Sequence, residues 1–419
     1  MRHDPSPDCS VFLPGLPPIA PESASARTLR TVLETACSLG AVHGIGVLAV
    51  QEALTEVCEW AVAGQNADES ATAWLMNLRW ARCAELGPGP EAPHPPTAWW
   101  EQPARRWAQI STATASASLE AITSDVITSD TAARSLRELA FRELGEGLVR
   151  SLTSAQMPYP ARPVSDEAPD PRILLRLVPL AWHVQEHTVH LGQLAVNLTG
   201  LLTGHPEALA SSLVWALLLR TAAGTSICAP EATVQQRLHR AVVEVRTLLV
   251  EHPSQQRLGG RVPPPGGLQE RMRAAGGTMD ALRSLLVEAP HTTAAVERGA
   301  SEGMSTGDHS PACVRALATV LHRVETCPRA EESGEERPTE EPTITTQTAE
   351  RMMRILHLLA SGDLDIEMQR QNAAEQTASP STAVESCAEA KAAARELIEG
   401  AARRWITAAG CLQEIGDSR

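Results

Sequence analysis

Three short clusters in this chain carry side chains able to do chemistry. His183, Glu186 and His187, in the run HVQEH, have the spacing of an inverted zinc-protease motif. His190 adds a third imidazole seven positions after His183, on the same face if the whole run is helical, as zinc ligation would require. The competing reading is a solvated histidine stripe, since no downstream glutamate stands out as a further ligand. Gly303 to Gly307, GMSTG, fits the G-x-S-x-G elbow, and Asp308 and His309 follow at once. That elbow needs a strand before Ser305, and the preceding TTAAVERGASE reads as helical or irregular, which argues against a serine hydrolase. Glu302 and Asp308 form a carboxylate pair of the kind a metal-free glycosidase uses.

The elements that would position these groups are helices. Of 419 residues only 3% are aromatic, β-branched runs are scarce, and Ala and Leu dominate. An all-α fold is expected. The net charge of -14 argues against nucleic acid or an anionic membrane as a partner, because no basic excess exists to displace counterions from phosphates. The single lysine, Lys391, lies far from any glycine-rich turn, which removes the P-loop and argues against a Schiff-base lysine. Nine scattered cysteines form no CxxC pair and read as small core residues in a reducing compartment. The proline-rich start has no signal-like apolar stretch, and no run of about 18 apolar residues follows, so a cytoplasmic location without a membrane span is expected. Little lysine beside much arginine, alanine and proline fits a GC-rich bacterial genome.

Proline and charge divide the chain into a disordered arm at 1–25, a helical domain at 26–327, an acidic linker at 328–344 and a helical appendage at 345–419. Within the domain, Leu48, Glu52 and Thr55 alternate with Val47, Val50, Leu54, Val57 and Cys58, which predicts a helix with one wet and one buried face. Leu209, Leu213 and Leu217 stack at i, i+4, i+8 on a predicted core helix. In the appendage, Met353, Leu356 and Leu359 form one stripe, and Leu397, Ala401, Trp405 and Leu412 another, which predicts a helical hairpin.

The middle of the chain resembles the ADP-ribosylglycohydrolase family, whose pattern is Gly-Asn-Gly, a short gap, Met-Arg-Val-x-Pro-Leu, a helix, and Thr-His-x-His-Pro-x-Ala opening a long Ala-rich helix. Arg176, Pro179 and Leu180 match the first piece, and Gly204, His205, Pro206 and Ala208 the second. GGTMDALRSLLVEA, from Gly276, is similar to the helix before the last metal motif, and AVERGASEGMSTGDHSPACVRALA to the family's ending. HGIGVLAVQEAL, from His43, is similar to the stretch that normally opens with Thr-Asp-Asp-Thr. The resemblance covers about residues 28 to 325 and implies a compact orthogonal helical bundle. It also implies hydrolysis of glycosidic bonds from ADP-ribose to arginine, serine or another acceptor, with two Mg²⁺ ions held by clustered Asp and Thr oxygens. Carried over residue by residue, it makes Arg176, His205 and Gly307 ligand contacts and Asp308 a metal ligand.

The departures fall on the metal motifs. His43, Gly44, Ile45 and Gly46 stand where Thr-Asp-Asp-Thr is expected, and Asp308, His309, Ser310 and Pro311 where Asp-Thr-Asp-Thr is expected. Asp170, Pro171 and Arg172 stand near the Gly-Asn-Gly, and the early Gly-Asp-Ala-x-Gly segment is missing. One carboxylate in place of the acidic set cannot neutralise two divalent ions, so the expectation is a pseudoenzyme that binds ADP-ribose, a related nucleotide or an ADP-ribosylated protein, with Mg²⁺ not retained. Two alternatives stand beside it. One is an active hydrolase whose altered site, Asp308 with His309 or His43, shifts the preference toward Zn²⁺ or Mn²⁺. The other is a scaffold that binds a protein partner through its C-terminal helices.

Overall fold

Strong helix formers fill the chain, and in the computed structural model every regular element of the described residues (24–38, 40–119, 129–183, 188–228, 231–250, 312–326, 343–361 and 383–417) is helical. The α-helices are α1 (Ala24–Cys37), α2 (Ala41–Val62), α3 (Glu69–Cys83), α4 (Glu101–Leu119), α5 (Ser129–Leu152), α6 (Thr188–Gly200), α7 (Pro206–Cys228), α8 (Val234–Val250), α9 (Ala312–Thr326), α10 (Ile344–Ser361) and α11 (Ala383–Asp417). A 3₁₀ helix, Pro171–Ala181, lies between α5 and α6.

Local signals set several boundaries. Asp68 caps α3 by accepting the Ala71 N–H at 2.8 Å, with Glu69 in the first turn where a carboxylate complements the helix dipole. Pro206 opens α7, where its missing N–H costs nothing. Gly145, at φ 79°, kinks α5 in a backbone conformation that only glycine adopts readily. Asp170 caps the 3₁₀ helix through the Arg172 N–H at 2.8 Å, and Pro171 follows it. Eleven residues is long for a 3₁₀ helix, whose hydrogen bonds are poorly aligned. Packing supplies the difference, since Ile173 through Ala181 are all buried, between α2 on one side and α7 on the other.

The core is organised around α2, which packs against α1, α3, α4, α11 and the 3₁₀ helix. The wet face expected from Leu48, Glu52 and Thr55 does not exist. These residues are 1%, 1% and 0% exposed, because α2 is covered from all sides as far as Thr55, and only its last turns, with Glu59 and Trp60, reach solvent. Some of its polar groups find partners inside: the Thr55 hydroxyl donates to the Gln51 carbonyl at 2.9 Å, and Glu52 meets Trp99 and Arg404, whereas Gln51 Oε1 and Glu52 Oε1 have no hydrogen-bond partner. By length and apolar composition α2 could cross a bilayer, yet 89% of its most apolar window is buried within the fold, as befits a core helix. Leu209, Leu213 and Leu217 are buried on α7, as their spacing predicts.

The expected C-terminal appendage is part of the body. Its two stripes are real: Met353, Leu356 and Leu359 are buried, as are Leu397, Ala401 and Trp405, while Leu412 is half-buried. Their partners are not each other. α10 packs on α1, α7, α8 and α9, and α11 packs on α1, α2 and α4, so the predicted hairpin is replaced by two insertions into one continuous core. An apolar stripe specifies burial but not the surface that buries it. The Arg237 guanidinium adds to the fit by donating to the carbonyls of Ala360 and Ser361 at the end of α10, at 2.7 and 3.0 Å. The arm at 1–25 and the linker at 328–344 fall outside the described residues except for their last two positions, which lead into α1 and α10.

Candidate functional site

A buried polar cluster forms where α2, α3, α5 and the start of the 3₁₀ helix meet. His43 enters from α2 and is 2% exposed, and its Nε2 lies 3.5 Å from Glu143 Oε2 on α5. The Arg172 guanidinium lies 3.7 Å from the same Glu143 oxygen and grips Asp170 bidentately, at 2.9 Å from each carboxylate oxygen. Arg176, one 3₁₀ turn further on and 6% exposed, donates to Asn77 Oδ1 of α3 at 2.6 Å, while its Nε has no partner.

Two glycines make this packing possible. A Cβ at Gly46 would lie 2.9 Å from Arg176 Nε, and one at Gly44 would lie 2.2 Å from a ring carbon of Trp107. The sequence His-Gly-Ile-Gly thus lets a guanidinium and an indole approach the α2 backbone within one turn, from nearly opposite faces.

Burial governs the electrostatics. Loss of water pushes His43 down to about 3, aided by the Arg172 and Arg176 cations, so the imidazole is neutral at pH 7. Its contact with Glu143 is therefore not an ion pair at that pH. Burial pushes the Glu143 carboxyl up, with Arg172 and Arg142 opposing. Arg176 is pushed down to about 10 by burial and still carries its charge. The cluster therefore holds two guanidiniums, a gripped Asp170, a neutral histidine and a carboxylate of weakened acidity.

His205 occupies a neighbouring place. It precedes α7, its N–H donates to Thr203 Oγ1 at 3.0 Å, and its Nδ1 lies 3.6 Å from Glu207. The Thr203 hydroxyl donates to the Glu167 carbonyl at 2.9 Å and the Gly204 N–H to the Ser165 carbonyl at 2.7 Å, which ties this turn to the loop before Asp170. Burial lowers the His205 value. Cys313, in the first turn of α9, packs with its thiol 3.9 Å from the Pro169 carbonyl. Burial pushes that thiol up to about 12, with Asp170 and Glu207 adding to the effect, so both carboxylates lie in its electrostatic neighbourhood.

Of the sequence-derived site residues, Arg176 and His205 do not touch. Arg176 faces α2 and α3, and His205 faces Glu207. Gly307, Asp308, His309 and Glu302 lie outside the described residues, as do Glu186 and His187. His183 is not on a helical face with His190: it follows the 3₁₀ helix, while α6 begins at Thr188. His183 is buried beside the Trp405 ring, 6.4 Å between centroids, and burial pushes it down to about 4, whereas His190 is exposed.

The cluster does not fit a divalent cation. Among the described residues no three His, Cys, Asp or Glu side chains gather as a metal site requires. The nearest oxygens are engaged by Arg172, and two guanidiniums already supply the positive charge. Sequence reasoning missed Asn77 and Glu143 as members, and placed Arg172 only near the Gly-Asn-Gly position. A polar Asn77 inside the apolar run WLMNLRWA was the one available signal. No family model, no curated protein and no solved structure matches the chain.

Proposed function

We propose that the chain is a degenerate relative of the ADP-ribosylglycohydrolases, acting in the cytoplasm, that binds ADP-ribose or an ADP-ribosylated protein without hydrolysing it. The observation that carries this reading is the meeting of positions drawn from separate stretches of the resemblance. His43 stands for the first acidic motif, Asp170 and Arg172 for the Gly-Asn-Gly, and Arg176 for the arginine motif; they are about 130 positions apart in sequence and share one cluster. His205 and the first turn of α9, which follows Asp308 by only a few residues, adjoin it.

The substitutions have a consistent physical sense. Where the family concentrates carboxylates around cations, this chain brings the Arg172 and Arg176 guanidiniums near His43, with Arg172 gripping Asp170. A fixed cationic centre attracts a pyrophosphate without a metal, and it supplies no metal-activated water to attack a glycosidic bond.

Titration calorimetry with ADP-ribose, with and without Mg²⁺, tests this beside an assay for ADP-ribose release from modified arginine and serine. The expected result is binding unaffected by Mg²⁺, with no release. Metal-dependent binding with release would instead mark an active hydrolase with an altered metal site. No binding at all would leave a helical scaffold.

A further inference from the structure

We propose that residues 136–144, in the first half of α5, form a lid over the His43–Arg176 cluster, one that swings on Gly145 to admit a ligand and closes over it. The inference rests on the binding role proposed above and concerns how a ligand gains entry. His43 and Arg176 are 2% and 6% exposed, and His43 Nε2, Arg176 Nε and Glu143 Oε2 are all shielded from water without a hydrogen-bond partner. Polar atoms closed off in this way are reached only when a covering element moves.

The elements around the cluster differ in how firmly they are held. α2 is buried from Ala41 to Thr55, α3 from Met76 to Ala81 and the 3₁₀ helix from Ile173 to Ala181, so none of these can shift without opening the core. Helix α5 is divided. Between 147 and 152 only Arg150 is exposed, the Gly147 N–H donates to Glu167 Oε2 at 3.2 Å, and Arg150 pairs with Glu167 at 3.3 Å. A Cβ at Gly147 would lie 2.2 Å from Ser165 Oγ, so the loop before Asp170 is seated directly on this half. Between 136 and 144 only Leu136 and Ala140 are fully buried. Phe141 stays exposed, with the Arg137 guanidinium 6.0 Å from its ring centre. Glu143 holds the cluster loosely, its Oε2 standing 3.5 Å from His43 Nε2 and 3.7 Å from Arg172, beyond ordinary hydrogen-bond length. Few buried side chains mark an element of low local stability.

Gly145 is the joint between the halves. Its φ of 79° and ψ of 164° lie in a region that is essentially glycine-only, and a Cβ there would meet nothing nearer than Glu167 Oε2 at 3.9 Å. The restriction is one of backbone conformation, not of space. A single residue with glycine's freedom can therefore absorb the change of angle between the lid and the fixed half.

Hydrogen exchange of the full chain, corrected for intrinsic amide rates, measures the lid without any ligand. Amides of 139–144 should exchange at least about tenfold faster than those of 147–152, although one helix carries both. His43→Cys places a thiol beneath the lid. Its alkylation, read by peptide mass and normalised to the rate in denaturant, should run about tenfold faster than that of the buried Cys58 in the same molecule. Gly145→Ala strains the kinked, closed form, so exchange across 139–144 should rise about another tenfold, and the first two arms decide if that variant does not fold. Saturating ADP-ribose should slow exchange across 139–144 in the wild-type chain. Equal exchange of the two halves, a His43→Cys thiol no faster than Cys58, unaltered lid exchange in Gly145→Ala, or ADP-ribose binding that leaves 139–144 unprotected would each overturn the lid. Calorimetry without any ADP-ribose binding would sink the binding role, while the ligand-free arms still decide the lid.

Discussion

Arg176 is held at a measurable cost, and the cost predicts an unusual ordering of two neighbouring substitutions. Burial lowers its value to about 10, which makes the charged form about 3 kcal/mol less favourable than in water. One charge-assisted hydrogen bond, to Asn77 at 2.6 Å, offsets part of that, worth about 1.5–3 kcal/mol. Arg176→Met removes the desolvated charge and keeps most of the volume, and relief of that charge offsets the orphaning of the neutral Asn77 amide, so stability should stay within about 1–2 kcal/mol of wild type. Asn77→Ala removes only the acceptor and leaves the guanidinium buried and unpaired, at about 2–4 kcal/mol. Urea denaturation at pH 7 measures both, with Arg176→Met/Asn77→Leu as the closing arm expected to recover most of the Asn77→Ala loss. If Arg176→Met costs as much as Asn77→Ala, the guanidinium is a structural asset and not a buried charge retained for a ligand. The same Arg176→Met protein should lose ADP-ribose binding.

Gly44→Ala would drive a Cβ to 2.2 Å from the Trp107 ring and should cost about 1–3 kcal/mol by denaturation, with the Trp107 fluorescence altered. His43 and His183 have values depressed to about 3 and about 4, so the stability they confer is present above their unfolded value near 6.5 and is lost as pH falls below it. Each should contribute about 2 kcal/mol of loss between pH 7 and pH 5, and His43→Gln should remove its share, as urea midpoints across that range would show. Deleting residues 343–419 uncovers α2, α4 and α7, so the truncated chain should lose its cooperative thermal transition and bind a hydrophobic dye. A truncated chain that melts cooperatively would restore the separate appendage.

The helical class was legible because Ala and Leu outnumber strand formers, and the stripes through Leu209 and Leu397 marked real buried faces. Periodicity failed on α2 for a physical reason. The stretch of α2 through Thr55 is covered on every side and has no wet face, and Glu52 and Thr55 find partners in Trp99, Arg404 and the Gln51 carbonyl, contacts that no local pattern encodes. The same limit hid the cluster: Arg176 was visible as a motif residue, but its acceptor, Asn77, lies 99 positions away. Asp170 was noted only as a poor match to Gly-Asn-Gly, whereas its structural part is to cap a helix and hold Arg172.

The placement of α11 against α2 also bears on how the chain is made. Glu52 and Arg404 are 352 positions apart, so at ordinary elongation rates the most apolar helix waits roughly 20–70 s for the partner that covers it. During that interval the nascent chain presents an uncovered hydrophobic surface to the crowded cell. Its yield should therefore depend on holding chaperones and on the speed of translation, more than the stability of the finished fold would suggest.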